Sequence, residues 1–276
     1  FGHAQDRLTI EEQHVRNARH AYYGMSSYLD DKVGRIMAAL HDMDLIDDTI
    51  VVFTSDHGEM LGERGMWFKQ SFYENSTRVP LIISHPGHID QGRVSEITSL
   101  MDLLPTFVDW GTGGDAPDPV SVLDGHSLTG LLSGNGEAWD NAVISEYTGE
   151  GVVAPCRMIR RDNFKYIYTH GHQPLLYDMD ADPLEMNNLA GDADVADIKA
   201  KLHAELMNGW NPDKIAAQCI QSQKERLFIH GTTKGAPTWA HVSRAGDDRK
   251  YVRNDSAVGT KARARYPYVE PTPFER

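Results

Sequence analysis

Residues 49–58 have the sequence TIVVFTSDHG, and this stretch decides the fold. Its β-branched and aromatic first half, Thr49–Thr54, predicts a short and fully buried strand. The strand is followed at once by Asp56, His57 and a glycine. Open α/β sheets bind their ligands beyond the carboxyl ends of the strands, so Asp56 and His57 lie where a site is expected.

The segments around this strand alternate between helix and strand. A Thr-x-x-Glu capping box followed by apolar residues at helical spacing predicts a helix over residues 10–43. Residues 79–84 predict a second strand, and residues 99–110 predict a second long helix. This order predicts an α/β core built on a parallel sheet.

The sequence pattern changes beyond residue 138. Short strand patterns at residues 142–147, 156–160, 165–169 and 175–178 precede a helix pattern at residues 195–207. They predict a small antiparallel sheet closed by one helix. Residues 209–276 are polar and predict an extended tail. We therefore expect three parts, which are the α/β core (1–138), the small antiparallel-sheet subdomain (139–208) and the tail (209–276).

Composition and charge argue against some kinds of binding partner. The chain has 276 residues, with 40 Asp and Glu against 27 Lys and Arg, and its formal net charge is −13. Such a surface repels a phosphate backbone, so we expect no nucleic acid partner. No apolar run approaches the length of about 18 residues that spans a membrane, and no signal peptide pattern occurs. With two cysteines that match no metal spacing, these features predict a cytoplasmic protein without a membrane partner.

A longer stretch resembles the sulfatase family of the alkaline-phosphatase superfamily. The similarity lies in TSDHGEMLGERGMWFK (54–69), RVPL (78–81) and the segment from LYD to NNLA (176–190). The resemblance implies that Asp56 and His57 bind a divalent metal ion and that Lys69 binds the sulfate. A carboxylate and an imidazole can share a cation, and an ammonium stabilises charge on sulfate oxygens. Taken alone, these residues also fit a capping aspartate, a bystander histidine and a solvated loop lysine.

Other stretches resemble the choline-sulfatases within that family. They are SEY (145–147), GEG (149–151), PCRM (155–158) and YVRN (251–254). The resemblance implies that choline sulfate is the substrate and that Glu146 faces its quaternary ammonium, a cation that requires a carboxylate or aromatic faces. It also implies a homo-oligomer, a dimer or a tetramer, in which the tail wraps a neighbouring subunit. The alternative for Glu146 is an ordinary glutamate at a strand end.

The resemblance also implies parts that this sequence lacks. Sulfatases use a formylglycine made within a C/S-x-P-S/A-R motif, and no such motif occurs here. Cys156 has an arginine four residues later but neither the proline nor the serine, so we reject it as the nucleophile. The chain starts with Phe1, which predicts that an N-terminal half supplies the formylglycine and further metal ligands, and that this fragment alone is inactive. Calcium is the expected metal, with manganese or magnesium as alternatives.

Two other functions remain open. Phosphonate or phosphate diester hydrolysis is possible on the same scaffold, and a non-catalytic fragment would explain the missing nucleophile. The matches at Glu146 and in the tail favour hydrolysis of choline sulfate.

Overall fold

The computed structural model describes residues 10–115, 121–136, 138–149 and 152–232, without the side chain of His230. The chain divides into two compact units. The first comprises residues 1–39, 59–69 and 220–276, and the second comprises residues 40–58 and 70–219. Both β-sheets belong to the second unit.

The described residues form six α-helices and six β-strands. The helices are α1 (Glu12–Asp42), α2 (Glu74–Thr77), α3 (Leu103–Thr112), α4 (Thr129–Leu132), α5 (Ala196–Met207) and α6 (Pro212–Thr232). The strands are β1 (Val51–Thr54), β2 (Leu81–Ser84), β3 (Ala142–Tyr147), β4 (Cys156–Arg161), β5 (Phe164–Thr169) and β6 (Leu175–Asp178). Single 3₁₀ turns occur at Glu63–Gly65, Leu100–Asp102 and Ala193–Val195.

The long N-terminal helix predicted over residues 10–43 is confirmed as α1. No residue of α1 is buried, and Tyr23, Met25, Tyr28 and Ile36 each expose more than half of their surface. A helix with an apolar side stabilises a fold when that side is covered, so α1 presents a surface for packing. Within the described ranges, no helix is long and apolar enough to cross a membrane.

The predicted strands β1 and β2 both form, but the prediction that they lie in a parallel sheet is wrong. They pair antiparallel, with Val51 opposite Ser84 and Thr54 opposite Leu81. A parallel pair needs a crossover connection, which is usually a helix lying on the sheet. The connection here contains only one 3₁₀ turn and the four-residue α2. The prediction that β1 is fully buried is also wrong, because a two-stranded sheet cannot cover both of its own faces and β1 is half-buried.

The predicted small antiparallel sheet is confirmed, with strand order β3-β4-β5-β6. Side chains alternate between its two faces. One face packs Ile159 and Tyr166 against Leu206 of α5, and the other carries Met158 and Ile167 with Phe72 and Tyr73 packed against them. The sheet therefore has a core on each side, and the second core reaches the segment that leads into α2.

The first part of the expected extended tail is helical instead. The side chain of Asn211 caps α6 by accepting from the Lys214 N–H at 2.9 Å, and Pro212 occupies the first helical position. Both are helix-start signals, and no glycine or proline follows before Gly231. Residues 233–276 lie outside the described residues, and with them most of the aromatic residues of the tail.

Candidate active site

Asp56 and His57 lie together in the turn after β1. The His57 backbone N–H donates to Asp56 Oδ1 at 3.0 Å, and His57 Nε2 lies 3.4 Å from Asp56 Oδ2. The Ser55 hydroxyl donates to the His57 carbonyl at 2.9 Å. Both side chains are exposed, that of Asp56 by 83%. The turn therefore presents a carboxylate and an imidazole side by side and open to an incoming group.

The hydrogen bond of the histidine ring suits metal binding. His57 Nδ1 lies 2.8 Å from the Gly58 carbonyl oxygen, which can only accept. Nδ1 therefore carries the hydrogen, and in the neutral ring the lone pair is on Nε2. Two ligands that each lie about 2.4 Å from a calcium ion at a right angle are about 3.4 Å apart, so the Nε2–Oδ2 separation fits a shared cation.

Asp56 and His57 make only a partial metal site. The described residues contain no cluster of three or more His, Cys, Asp or Glu side chains that could hold a metal ion. A structural or catalytic ion normally has more than two protein ligands. The spacing of the pair is compatible with two ligands of one divalent ion, but the pair is not a complete site.

Gly58 brings the backbone of α2 directly against this turn. Its N–H donates to the Ser76 carbonyl at 2.8 Å. A Cβ at position 58 would overlap the carbonyl oxygen of Asn75. The glycine at position 58 thus has a specific steric cause, because only a hydrogen fits between the two backbones.

Lys69 follows a closed loop in the first unit. The Met60 N–H donates to the Phe68 carbonyl at 2.8 Å, and Glu59 Oε1 accepts from the Phe68 N–H at 2.5 Å. Phe68 has a φ of 68° and Leu61 one of 49°, values that cost energy in any residue except glycine. Lys69 itself is exposed. The loop therefore holds the residue before Lys69 in a fixed and strained conformation.

The same loop is tied to α1. The Arg19 guanidinium donates to the Leu61 carbonyl at 2.9 Å and pairs with Glu63 at 2.6 Å, while Met60 is buried. The roles of Glu59 and Arg19 were not predicted from the sequence. Their partners lie 9 and more than 40 residues away, so no local pattern marks them.

Glu146 lies at the end of β3 and faces Arg157 on β4. The carboxylate is 3.5 Å from Arg157 Nε and 36% of the side chain is exposed. Arg157 also donates to the Leu206 carbonyl at 2.8 Å and lies over the Trp210 ring. Glu146 therefore stands near a cation of its own chain, on the sheet face that packs α5.

The next residue, Tyr147, lies on the opposite sheet face and lines a small cavity. This cavity has a volume of about 160 Å³. Its aromatic walls are Phe72, Tyr73 and Tyr147, and the segment Gln70–Ser71, which follows Lys69 in the chain, forms part of its rim. The cavity thus has room for a small group beside three aromatic side chains.

Cys156 borders the same cavity but is not a nucleophile. Burial raises the pKa of its thiol to about 11, and the nearby Glu146 carboxylate acts in the same direction. The thiol donates to the Tyr147 carbonyl at 3.2 Å. It stays protonated at neutral pH, and because the thiolate is the reactive form, the geometry supports the rejection of Cys156.

Comparisons with known families cover most of the chain. The family model described as Sulfatase matches residues 2–113. The model described as N-sulphoglucosamine sulphohydrolase, C-terminal, matches residues 62–211. The two matches overlap over residues 62–113, which include Lys69.

Among curated proteins, the choline-sulfatase of Rhizobium meliloti (strain 1021) is 36% identical over 268 residues, which is 95% of this chain and 51% of that protein. Arylsulfatase K of Mus musculus is 37% identical over 229 residues, which is 79% of this chain and 40% of that protein. The chain therefore spans about half the length, or less, of these curated relatives.

Solved structures agree on the fold. The phosphonate monoester hydrolase of Agrobacterium radiobacter has a TM-score of 0.61 and 36% identity, and the match covers 69% of this chain and 40% of that one. A protein solved in complex with its substrate D-glucosamine-2-N,6-O-disulfate has a TM-score of 0.56 and 33% identity, over 65% of this chain and 37% of that one. The predicted alkaline-phosphatase-like α/β fold class is confirmed.

The contact between Gly58 and α2 predicts opposite effects for two glycine substitutions. Gly58→Ala should lower the free energy of unfolding by about 1–3 kcal/mol, since the new methyl group has no space. Gly34→Ala in α1, where nothing lies within 4 Å, should raise it by up to about 1 kcal/mol because alanine is the better helix former. Urea denaturation of both variants measures the difference, and equal effects of the two substitutions would contradict the steric account.

Proposed function

This chain belongs to the sulfatase family, and on that basis we propose that the complete protein hydrolyses choline sulfate to choline and sulfate. The observation that carries the reaction class is the Asp56–His57 pair, whose geometry fits two ligands of one divalent ion. The similarity to a choline-sulfatase over nearly the whole chain supports the substrate.

We propose that the chain supplies one half of the site. Asp56 and His57 would hold the metal, and an N-terminal half would provide the remaining ligands and the formylglycine. When bound, the ion would supply positive charge at the sulfate, and the formylglycine would supply the nucleophile. Calcium is the proposed ion, with manganese or magnesium as alternatives. The uncovered apolar side of α1 supports packing against further protein of this kind.

Lys69 is proposed to bind the sulfate oxygens. Its ammonium would stabilise the negative charge that these oxygens carry in the transition state. The closed loop before it supports this role, since a preorganised donor loses little freedom when it binds. The strained backbone at Phe68 also supports a functional role for this loop, because strained backbone is common at functional sites.

The aromatic cavity supports a cationic alcohol as the leaving group. A quaternary ammonium is attracted to the faces of aromatic rings, and Phe72, Tyr73 and Tyr147 provide such faces. Glu146, at the same end of β3 but on the opposite sheet face, is proposed to add a negative charge. The competing role of Glu146 is a structural ion pair with Arg157. Rates on a cationic and a neutral substrate distinguish this role from substrate binding.

A second candidate is hydrolysis of phosphonate monoesters or phosphate diesters. The structural similarity to a phosphonate monoester hydrolase favours it. A transferring phosphoryl group needs the same metal and ammonium charges as a sulfuryl group, so these residues alone do not separate the two reactions. Assays with a sulfate ester and with a phosphonate monoester separate the two reactions.

Lys69→Ala in the complete protein tests the reaction. We expect kcat/KM for choline sulfate to fall roughly 100- to 1,000-fold, the effect of losing one preorganised charge donor. Lys201→Ala, an exposed lysine of α5, is the matched control and should leave the rate unchanged. If the wild-type protein hydrolyses a phosphonate monoester but not choline sulfate, the substrate proposal is wrong.

Glu146→Gln tests substrate recognition. The substitution should cost about 1–3 kcal/mol of transition-state stabilisation with choline sulfate and lower kcat/KM accordingly. Hydrolysis of a neutral aryl sulfate should change much less. Glu205→Gln removes a carboxylate that pairs with Arg161 of the same sheet and serves as control. Equal losses on both substrates would make Glu146 a structural partner of Arg157 and remove it from the site.

We also propose that residues 209–276 join subunits in a dimer or tetramer. In the described part of this segment, Ile220, Leu227 and Phe228 of α6 are exposed. Exposed apolar side chains on one helix are common at subunit contacts. Deletion of residues 212–276 should therefore lower the mass in solution, measured by light scattering, to that of a smaller assembly, whereas an unchanged oligomer would contradict this role.

A further inference from the structure

Lys165 of β5 carries a positive charge that is fully shielded from water. Its ammonium lies 2.8 Å from a carboxylate oxygen of Glu74 and 2.8 Å from one of Glu185, and its side chain has 0% exposure. The Glu185 side chain is only 3% exposed, and Arg160 lies 3.6 Å from Glu74. Two cations and two carboxylates thus form an electrically balanced cluster between the small sheet and α2, with Lys165 and Glu185 buried and Arg160 and Glu74 partly exposed.

The cluster is held in place at some expense of local stability. Glu185 has a φ of 56°, a left-handed conformation that is unfavourable for a residue with a side chain. Burial of charged groups is costly unless every partner is present. The strained backbone of Glu185 places its buried carboxylate beside the buried ammonium. This strain indicates that the side chain of Glu185 has a specific role.

The cluster acts on the first residue of α2. Glu185 Oε2 accepts from the backbone N–H of Glu74 at 2.8 Å, while the Glu74 side chain holds Lys165. Both the backbone and the side chain of Glu74 are therefore fixed from the small sheet. Since α2 has only four residues, fixing Glu74 fixes the whole turn.

The same turn supports the candidate metal ligands. Two residues after Glu74, the Ser76 carbonyl accepts from the Gly58 N–H, and Asn75 leaves no space for a side chain at Gly58. His57 Nδ1 in turn donates to the Gly58 carbonyl. One continuous path of buried or short contacts joins Lys165 to the ring of His57.

We propose that Glu74, Lys165 and Glu185 are positioning residues for the metal site, through which the small sheet sets the orientation of the Asp56–His57 turn. The inference rests on the proposed metal-binding role of that pair. In the charged cluster, loss of one partner releases α2, and the turn then loses the backbone that orients it. Residues that orient metal ligands typically change metal affinity by about 10- to 100-fold when altered.

Calcium titration of the complete, metal-free enzyme by calorimetry tests this role. Glu74→Gln keeps the shape of the side chain but removes its charge, and Lys165→Met removes the ammonium. Both should raise the calcium Kd about tenfold or more. If Lys165→Met fails to fold, Glu74→Gln alone decides.

Arg161→Gln is the matched control. Arg161 also lies in the small sheet and pairs with two carboxylates, those of Asp140 and Glu205, but none of these groups contacts α2. It should lower the thermal stability without changing the calcium Kd. If Glu74→Gln and Arg161→Gln affect the Kd equally, the cluster only stabilises the fold and the inference is overturned.

Asp56→Asn separates the two proposals. Loss of calcium binding in Asp56→Asn together with a raised Kd in Glu74→Gln supports both. Loss in Asp56→Asn with an unchanged Kd in Glu74→Gln overturns the positioning role and leaves the metal site in place. Unchanged binding in Asp56→Asn contradicts the metal site itself, and the positioning role falls with it. None of these readouts depends on which ester the enzyme hydrolyses.

Discussion

The second unit contains a fully buried ammonium, that of Lys165, whose charge must be matched inside the fold. It needs both Glu74 and Glu185, because removing one partner from a buried ion pair costs about 3–5 kcal/mol. The ion pairs fix how far α2 lies from the small sheet. Phe72 and Tyr73, just before α2, pack against the same sheet face. Charge pairing and apolar packing therefore hold the same segment.

That segment connects the fold to the chemistry. It forms the rim of the aromatic cavity and then passes into α2, whose backbone lies against Gly58. The turn that contains Asp56 and His57 thus rests on an element that is itself fixed, so the two side chains proposed as metal ligands are oriented before an ion binds. Preorganisation of this kind reduces the freedom that is lost when a charged ligand binds. In the first unit, the closed loop before Lys69 applies the same principle.

Local patterns predicted most of the elements, and non-local contacts account for what was missed. The small sheet follows from alternation and turns. Asp56, His57 and Lys69 were singled out by the resemblance of one contiguous stretch to a family, and their roles stay predictions. The antiparallel pairing of β1 and β2 depends on the direction in which the long connection brings the chain back to the sheet. The sequences of the two strands do not encode that direction. The helix α6 was missed because its polar composition outweighed the Asn211 cap and Pro212. Pairs such as Lys165–Glu74, 91 residues apart, are visible only in the fold.

The most direct measurement is an anomalous-scattering crystal structure of the complete protein grown with manganese or calcium. We predict one divalent ion within about 2.6 Å of both an Asp56 carboxylate oxygen and His57 Nε2. In that structure, His57 Nδ1 should still donate to the Gly58 carbonyl. An ion bound elsewhere, or a His57 ring turned away from the ion that Asp56 binds, would contradict this prediction.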